Sequence, residues 1–328
     1  VTRHLYATPD PHSLAVTGAL NRHAALASVT AATLLAALKS YAVWRTGSIA
    51  MLGSLADTAL DLIASLVTLL GVHVAAQPAD VHHRYGHGKA EALAALFQVS
   101  LISVAAIAII ARSVERLQGG AAPAGLEMGV GVSVLAMVVT LMLLAYQHSI
   151  IRRTGSIAIR ADNVHYQSDL LLNGVVIVAL VLEIALGLHG VDAVMGIVIG
   201  LWLAFGAWRA SAQAINQLMD REWPLERREQ FLALASRHPE LKGIHDLRTR
   251  TSGAQDFVQF HVWMDPLMSL VQAHRVMDEV EARLRVEFPG VEILIHPDPE
   301  GHVDSGDPLA GMDAQVLVAE MRAEGEQD

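Results

Sequence analysis

The chain has no cysteine among its 328 residues. Disulfides and thiolate metal sites are therefore excluded, and any bound metal must be held by oxygen and imidazole nitrogen. Charge is also scarce: 17% of residues are charged against 53% hydrophobic, with a mean hydropathy of +0.39, far from a soluble average. Such a chain belongs in a membrane. Its net charge is -10 and it shows no basic stripe, which excludes nucleic acid as a partner. The H-E-x-x-H helix signature of zinc peptidases is missing, and no Glu sits beside His165 as a general base, so an intramembrane metalloenzyme is disfavoured. The stretch Val1 to Arg22 is polar, carries Pro9 and Pro11 and lacks an apolar h-region, so no cleavable signal peptide is expected. The first apolar segment is then its own insertion signal.

What is present is a series of long apolar runs. A spanning helix needs roughly 20 mostly apolar residues, and six stretches qualify: Ala24 to Trp44, Ser48 to Ala75, Glu91 to Leu117, Leu126 to Ile150, Ser156 to Leu186 and Val191 to Ala212. Arg84 and Lys89 lie between the second and third, and Arg152 and Arg153 between the fourth and fifth. By the positive-inside rule those loops, and with them both termini, are cytoplasmic. From Arg221 the pattern is that of a soluble domain. It reads as helix Leu225 to Arg237, strands Gly243 to Thr251 and Phe257 to Met264, helix Leu270 to Glu287 and strand Glu292 to Ile295, an αββαβ domain with helices on one face of a sheet. The expected organisation is an N-terminal cytoplasmic segment (1–22), a six-helix transmembrane domain (23–213), a linker (214–223), a cytoplasmic α+β domain (224–300) and an acidic, mobile tail (301–328) with room for a short helix around Met312 to Met321.

An internal repeat points to a site in the membrane. Arg45-Thr46-Gly47-Ser48-Ile49-Ala50 recurs as Arg153-Thr154-Gly155-Ser156-Ile157-Ala158 at an offset of 108 residues, and the same offset carries Asp57 onto His165 and Asp61 onto Asp169. Three spans separate the copies, so the halves run oppositely through the bilayer, the arrangement that places substrate sites near the midplane. Asp57 and Asp61 lie about 14 and 20 Å along their helix from Ser48 at the helical rise, and His165 and Asp169 lie equally deep from the other side. Each pair is spaced i,i+4 and shares a helix face. Together they make a cage of three carboxylates and one imidazole. Zn2+ suits that donor set, and Cd2+, Fe2+, Co2+ or Mn2+ fit it too. An Asp at the bilayer centre costs on the order of 2.5 to 3.5 kcal/mol, so three of them with a histidine imply a use.

Two further constellations carry metal-ligand chemistry. The cytoplasmic loop holds Asp80, His82, His83 and His87, where metal would arrive. A solvated polar turn with incidental histidines gives the same spacing. In the soluble domain Val258, Phe260, Val262 and Met264 alternate as the apolar face of a strand, which leaves His261 on the other face. His245 begins the preceding strand, His296 and Asp298 follow the last, and His274 is on the second helix. A two-metal site with Asp298 bridging is the expectation there.

The strings that carry most information are Asp57-x-x-x-Asp61, the run from Gln77-Pro78-Ala79-Asp80 through Gly86-His87-Gly88-Lys89-Ala90-Glu91, Arg160-Ala161-Asp162 with His165-Tyr166-Gln167-Ser168-Asp169, and His245-Asp246-Leu247-Arg248-Thr249-Arg250. On these, from about Ala24 to Pro299, the chain resembles the cation diffusion facilitator family, in particular its bacterial zinc transporters. The resemblance implies a homodimeric metal/proton antiporter of the inner membrane, with a metallochaperone-like cytoplasmic domain and Zn2+ as both substrate and regulatory ligand. It also implies a transport site of Asp57, Asp61, His165 and Asp169, a loop site of Asp80, His83 and His87, and a cytoplasmic binuclear site of His245, His261, His274, His296 and Asp298. His82 has no counterpart in that pattern. Lys89 and Asp220 match a charge interlock near the dimer interface. Carboxylates and imidazole must lose protons to bind metal, which gives exchange directly, and His165 is the expected proton carrier. A passive pore or a metal sensor would use the same ligands.

Overall fold

The computed structural model describes residues 11–46, 49–118, 130–186, 191–241, 243–302, 313–314, 316 and 322. Six long helices come first: α1 (Pro11–Thr46), α2 (Ile49–Ala75), α3 (Ala90–Leu117), α4 (Val130–Thr154), α5 (Ile157–Leu186) and α6 (Val191–Leu218). They are followed by α7 (Leu225–Ala235), β1 (Gly243–Ser252), β2 (Gln255–Met264), α8 (Leu270–Glu287) and β3 (Val291–Pro299). The chain separates into two units, one of Val16–Asn216 and one containing Gln217–Asp328.

The repeat is visible in the helix boundaries. α1 ends at Thr46 and α2 begins at Ile49, while α4 ends at Thr154 and α5 begins at Ile157, so each copy of the hexapeptide spans the end of one helix and the start of the next. In the second copy Gly155 has a φ of +67°, a left-handed conformation that glycine adopts without a Cβ penalty. Two helices run past the expected limits. α1 is already helical at Pro11, inside the polar segment expected to precede the helical domain, and Asn21 in that segment has a buried partner in Glu91. α6 continues to Leu218 through half of the expected linker.

Among the described residues, five helical stretches are long and apolar enough to cross a membrane: Ala15–Arg45, Ser54–Ala75, Ala90–Leu117, Val134–Thr154 and Ala193–Leu218. The fifth expected span, Ser156 to Leu186, coincides with α5, which has 30 residues and so the length for a crossing. The described part of α5 carries Arg160, Asp162, His165 and Asp169, and Asp162 and His165 are buried among the other helices.

α5 is the axis of this unit: α2, α3 and α4 all pack on it, and α2 also packs on α3. Close approach is bought by small residues. A Cβ added at Gly71 would lie 2.4 Å from the Ala94 Cβ, and one at Gly200 would lie 2.5 Å from Ile110. At the centre Asp162 is fully buried. Its Oδ2 accepts from Ser28 Oγ of α1 at 2.6 Å and Gln147 Nε2 of α4 at 2.7 Å, and its Oδ1 accepts from Gln98 Nε2 of α3 at 2.8 Å. Gln98 also donates to Thr68 of α2 at 2.9 Å, so five helices meet at one carboxylate. A second buried acid, Glu91, accepts from Asn21 of α1 at 2.9 Å and from Ser156, at the entry to α5, at 2.7 Å.

The second unit is a three-stranded sheet of order β1-β2-β3, with β1 antiparallel and β2 parallel to their neighbours in turn. Gly253, with φ +61°, turns the tight β1–β2 hairpin. Phe231 and Leu232 of α7, Phe260 and Val262 of β2 and Leu284 of α8 form the core, and Ser269 with Gln272 closes a capping box at the start of α8. β3 is longer than expected. It runs to Pro299, so His296 and Asp298 lie within the strand and do not follow it. Pro297 is tolerated because β3 is an edge strand, where a missing N–H breaks no ladder. The expected helix at Met312 to Met321 falls almost wholly outside the described residues.

Replacing Asp162 with Ala leaves the three donors without their acceptor. Since each unpaired buried donor costs about 1–3 kcal/mol, a clear fall in the melting temperature of the detergent-solubilised protein is expected, with a smaller fall for Asp162→Asn. An unchanged melting temperature for Asp162→Ala would contradict the hub.

Candidate metal centres

Among the described residues, three groups of acids and histidines bring ligand atoms within 4.8 Å of one another: Asp61 with His165 and Asp169, Asp80 with His83 and His87, and His245 with His261 and Asp298.

The first lies between α2 and α5. His165 Nε2 is 3.1 Å from Asp61 Oδ1 and 3.9 Å from Asp169 Oδ2. The neighbouring Tyr166 fixes the backbone of this turn: its hydroxyl lies 2.8 Å from Ser65 Oγ and donates to the Ser28 carbonyl at 3.3 Å. Asp57 is one turn earlier on α2. It is exposed and outside the three-residue cluster, but its charge acts on Asp169. Three of the four residues expected here thus converge, with the fourth beside them.

In the loop, Asp80 Oδ1 accepts from the backbone amides of His82 and His83 at 2.8 and 2.7 Å. Those two amides hold its carboxyl below the usual range, so it is an anion at any physiological pH. Its oxygens lie 3.4 Å from His83 Nδ1 and 3.4 Å from His87 Nε2, and the two imidazoles approach at 3.1 Å. Gly86, with φ +76°, provides the bend that lets them meet. The His82 side chain is not in the group.

In the sheet, β1, β2 and β3 each contribute at one end, where His245, His261 and His296 sit side by side in register. Asp298 is buried, and its two oxygens divide the histidines. Oδ2 is 3.3 Å from His245 Nε2 and 2.9 Å from His261 Nδ1, while Oδ1 is 3.4 Å from His296 Nε2. A carboxylate facing nitrogens with both oxygens could serve one metal ion or two. Burial pushes the His245 imidazole below its ordinary value, against the opposing charge of Asp298, and so favours the neutral form that ligates metal. His245 Nδ1 is buried without a hydrogen-bond partner among the described residues. His274 is not brought in; it is 65% exposed and its nearest acid is Asp278 on the same helix at 3.9 Å.

Sequence reasoning passed over one acid here. Asp246 Oδ2 is 3.5 Å from His261 Nε2, and it gets there because β1 has an extra residue between His245 and Arg248, with Asp246 at φ 46°. The positive φ of an Asp is tolerable, yet a bulge leaves no mark in hydrophobic periodicity. Of the expected interlock, Asp220 has Arg250 Nη1 at 3.6 Å, while Lys89 sits at the N-terminus of α3 in the other unit.

Comparison with known proteins covers most of both units. Residues 25–219 match the cation efflux transmembrane domain, and residues 223–300 match the cation efflux protein cytoplasmic domain. The cation-efflux pump FieF of Cronobacter sakazakii is 42% identical over 282 residues, covering 86% of this chain and 94% of that protein. The pump of the same name from Shigella flexneri is 40% identical over the same shares. Among solved structures, the metal-bound C-terminal domain of the CzcD transporter from Thermotoga maritima is similar at 23% identity, covering 24% of this chain and 94% of that one, with a TM-score of 0.24.

The division of Asp298 makes a measurable distinction. Zn2+ titrated calorimetrically into the full-length protein is expected to lose two equivalents in Asp298→Ala but only one in His296→Ala; equal losses would contradict a bridging role.

Proposed function

Since the chain belongs to the cation diffusion facilitator family of multi-pass cation-efflux transporters, we propose that it exports Zn2+ from the cytoplasm in exchange for protons, by alternating access at Asp57, Asp61, His165 and Asp169. The observation that supports this most is the meeting of Asp61, His165 and Asp169 on two helices whose starts are related by the repeat. A divalent ion there displaces protons from carboxylate and imidazole, and protons arriving from the other side displace the ion. Binding and release are then the two halves of one competition, with His165 as the main proton carrier.

Zn2+ is the preferred substrate because one imidazole among carboxylates suits a borderline cation, with Cd2+ and Fe2+ as alternatives. In this reading α5 completes the six spans, its polar face shielded by its neighbours. The loops with Arg84 and Lys89 and with Arg152 and Arg153 face the cytoplasm of a bacterial inner membrane, as do both termini. Asp80, His83 and His87 bind metal on that side. His245, His261, His296 and Asp298 form a regulatory zinc site in the cytoplasmic domain (224–300), and His274 is a further ligand only if it is brought to them. The active form is a homodimer, with Lys89 and Asp220 near its interface. The single chain leaves Leu267, Leu270 and Val271 exposed, apolar surface of the kind a second copy covers.

In proteoliposomes an interior-acid gradient is expected to drive Zn2+ uptake, and a protonophore to stop it. Asp61→Ala is expected to lose uptake while still eluting as a dimer. Flux indifferent to the gradient would mean a pore, and near-normal flux in Asp61→Ala would sink the site assignment.

A further inference from the structure

Lys39 is the one charged residue in the apolar run from Ala24 to Trp44. A cation within a membrane span is costly and points to a use. Its Nζ donates to Thr58 Oγ1 at 2.6 Å and to the Ser54 carbonyl at 3.2 Å, both on α2. Thr58 is itself buried and passes its own proton to the Ser54 carbonyl at 3.2 Å, so its lone pairs are free to hold the ammonium. Thr58 follows Asp57 directly and precedes Asp61 by three residues. The amine is thus clamped to the turn that carries the two acids. Both bonded atoms are neutral oxygens, and the carboxylates of Asp61, Asp169 and Asp57 act on the ammonium through charge.

We propose that Lys39 is the fixed counter-cation of the transport site, setting its charge to match a divalent ion and keeping the ion's grip loose enough for release. Three ionised carboxylates and one ammonium carry two net negative charges, with His165 neutral. A bound divalent cation brings that set to neutrality, the cheapest state in which to carry it through a low-dielectric interior. Without the ammonium the loaded set keeps a net negative charge, and the ion is held by an unopposed field. Lys39 touches no cargo; it is a positioning residue acting through charge, with Thr58 as its anchor.

The inference rests on the transport reading above, so Asp61→Ala is carried alongside in the same proteoliposomes. Lys39→Gln in the full-length protein is expected to lower the KM for Zn2+ about tenfold or more at fixed pH, with kcat falling as release slows. Lys39→Arg is expected to restore both to within about twofold of the starting protein, since charge and not shape is what is required. Thr58→Val, which loosens the anchor and keeps the charge, is expected to shift KM in the same direction by less, and serves if Lys39→Gln does not fold. An unmoved KM in Lys39→Gln, or a lower kcat alone that Arg does not rescue, would overturn the proposal. Flux surviving in Asp61→Ala would instead sink the transport site, which keeps the two failures apart.

Discussion

Everything in the membrane unit follows from the cost of placing charge where there is no water. An ion in a low-dielectric interior must be met by partners that replace its hydration, and this chain meets its buried acids in two different ways. Asp162 accepts from neutral donors on α1, α3 and α4, which ties those helices to α5. Asp61 and Asp169 face an imidazole and share the charge of a lysine, partners that can yield to a cation. The first arrangement builds a scaffold and the second builds a site. They lie within two turns of each other on α5, so the rigid anchor sits directly beneath the exchangeable ligands.

The cytoplasmic unit applies the same chemistry outside the bilayer, where a sheet does the work of the helix pair. Parallel pairing of β2 with β3 sets His261 beside His296, and antiparallel pairing with β1 sets His245 on the other side. Asp298, two residues along the edge strand, then reaches back under all three. The core of Phe231, Phe260 and Leu284 keeps the strands in this register. A one-residue slip of β3 would turn both His296 and Asp298 to the wrong face.

The parts legible in sequence were those with a local signature. Hydropathy marks the long helices, and the hexapeptide repeat marks where α1 gives way to α2 and α4 to α5. Alternation in β2 places His261 off the apolar face, where it is found. The parts that were not legible depend on contacts far apart in the chain. Gln98 and Gln147 look like isolated polar residues in apolar helices until Asp162 is seen between them. Lys39 acquires meaning only through Thr58 on the next helix. Asp246 reaches His261 through a bulge that no periodicity reveals, and β3 runs past Ile295 to Pro299 because an edge strand accepts Pro297. His274 is the converse case: its spacing suggested a ligand, and the fold of the single chain points it away.

The central claim is that a metal ion sits within the membrane unit on carboxylate and imidazole ligands alone. It is tested most directly by the zinc K-edge X-ray absorption spectrum of full-length protein carrying Asp80→Ala and Asp298→Ala, which removes the shared carboxylate of each of the other two groups. The account predicts about four nitrogen and oxygen neighbours near 2.0 Å, with the multiple-scattering signature of one imidazole, and loss of bound zinc when Asp61→Ala is added. A shell of six oxygens without imidazole, or zinc retained in that triple variant, would contradict it.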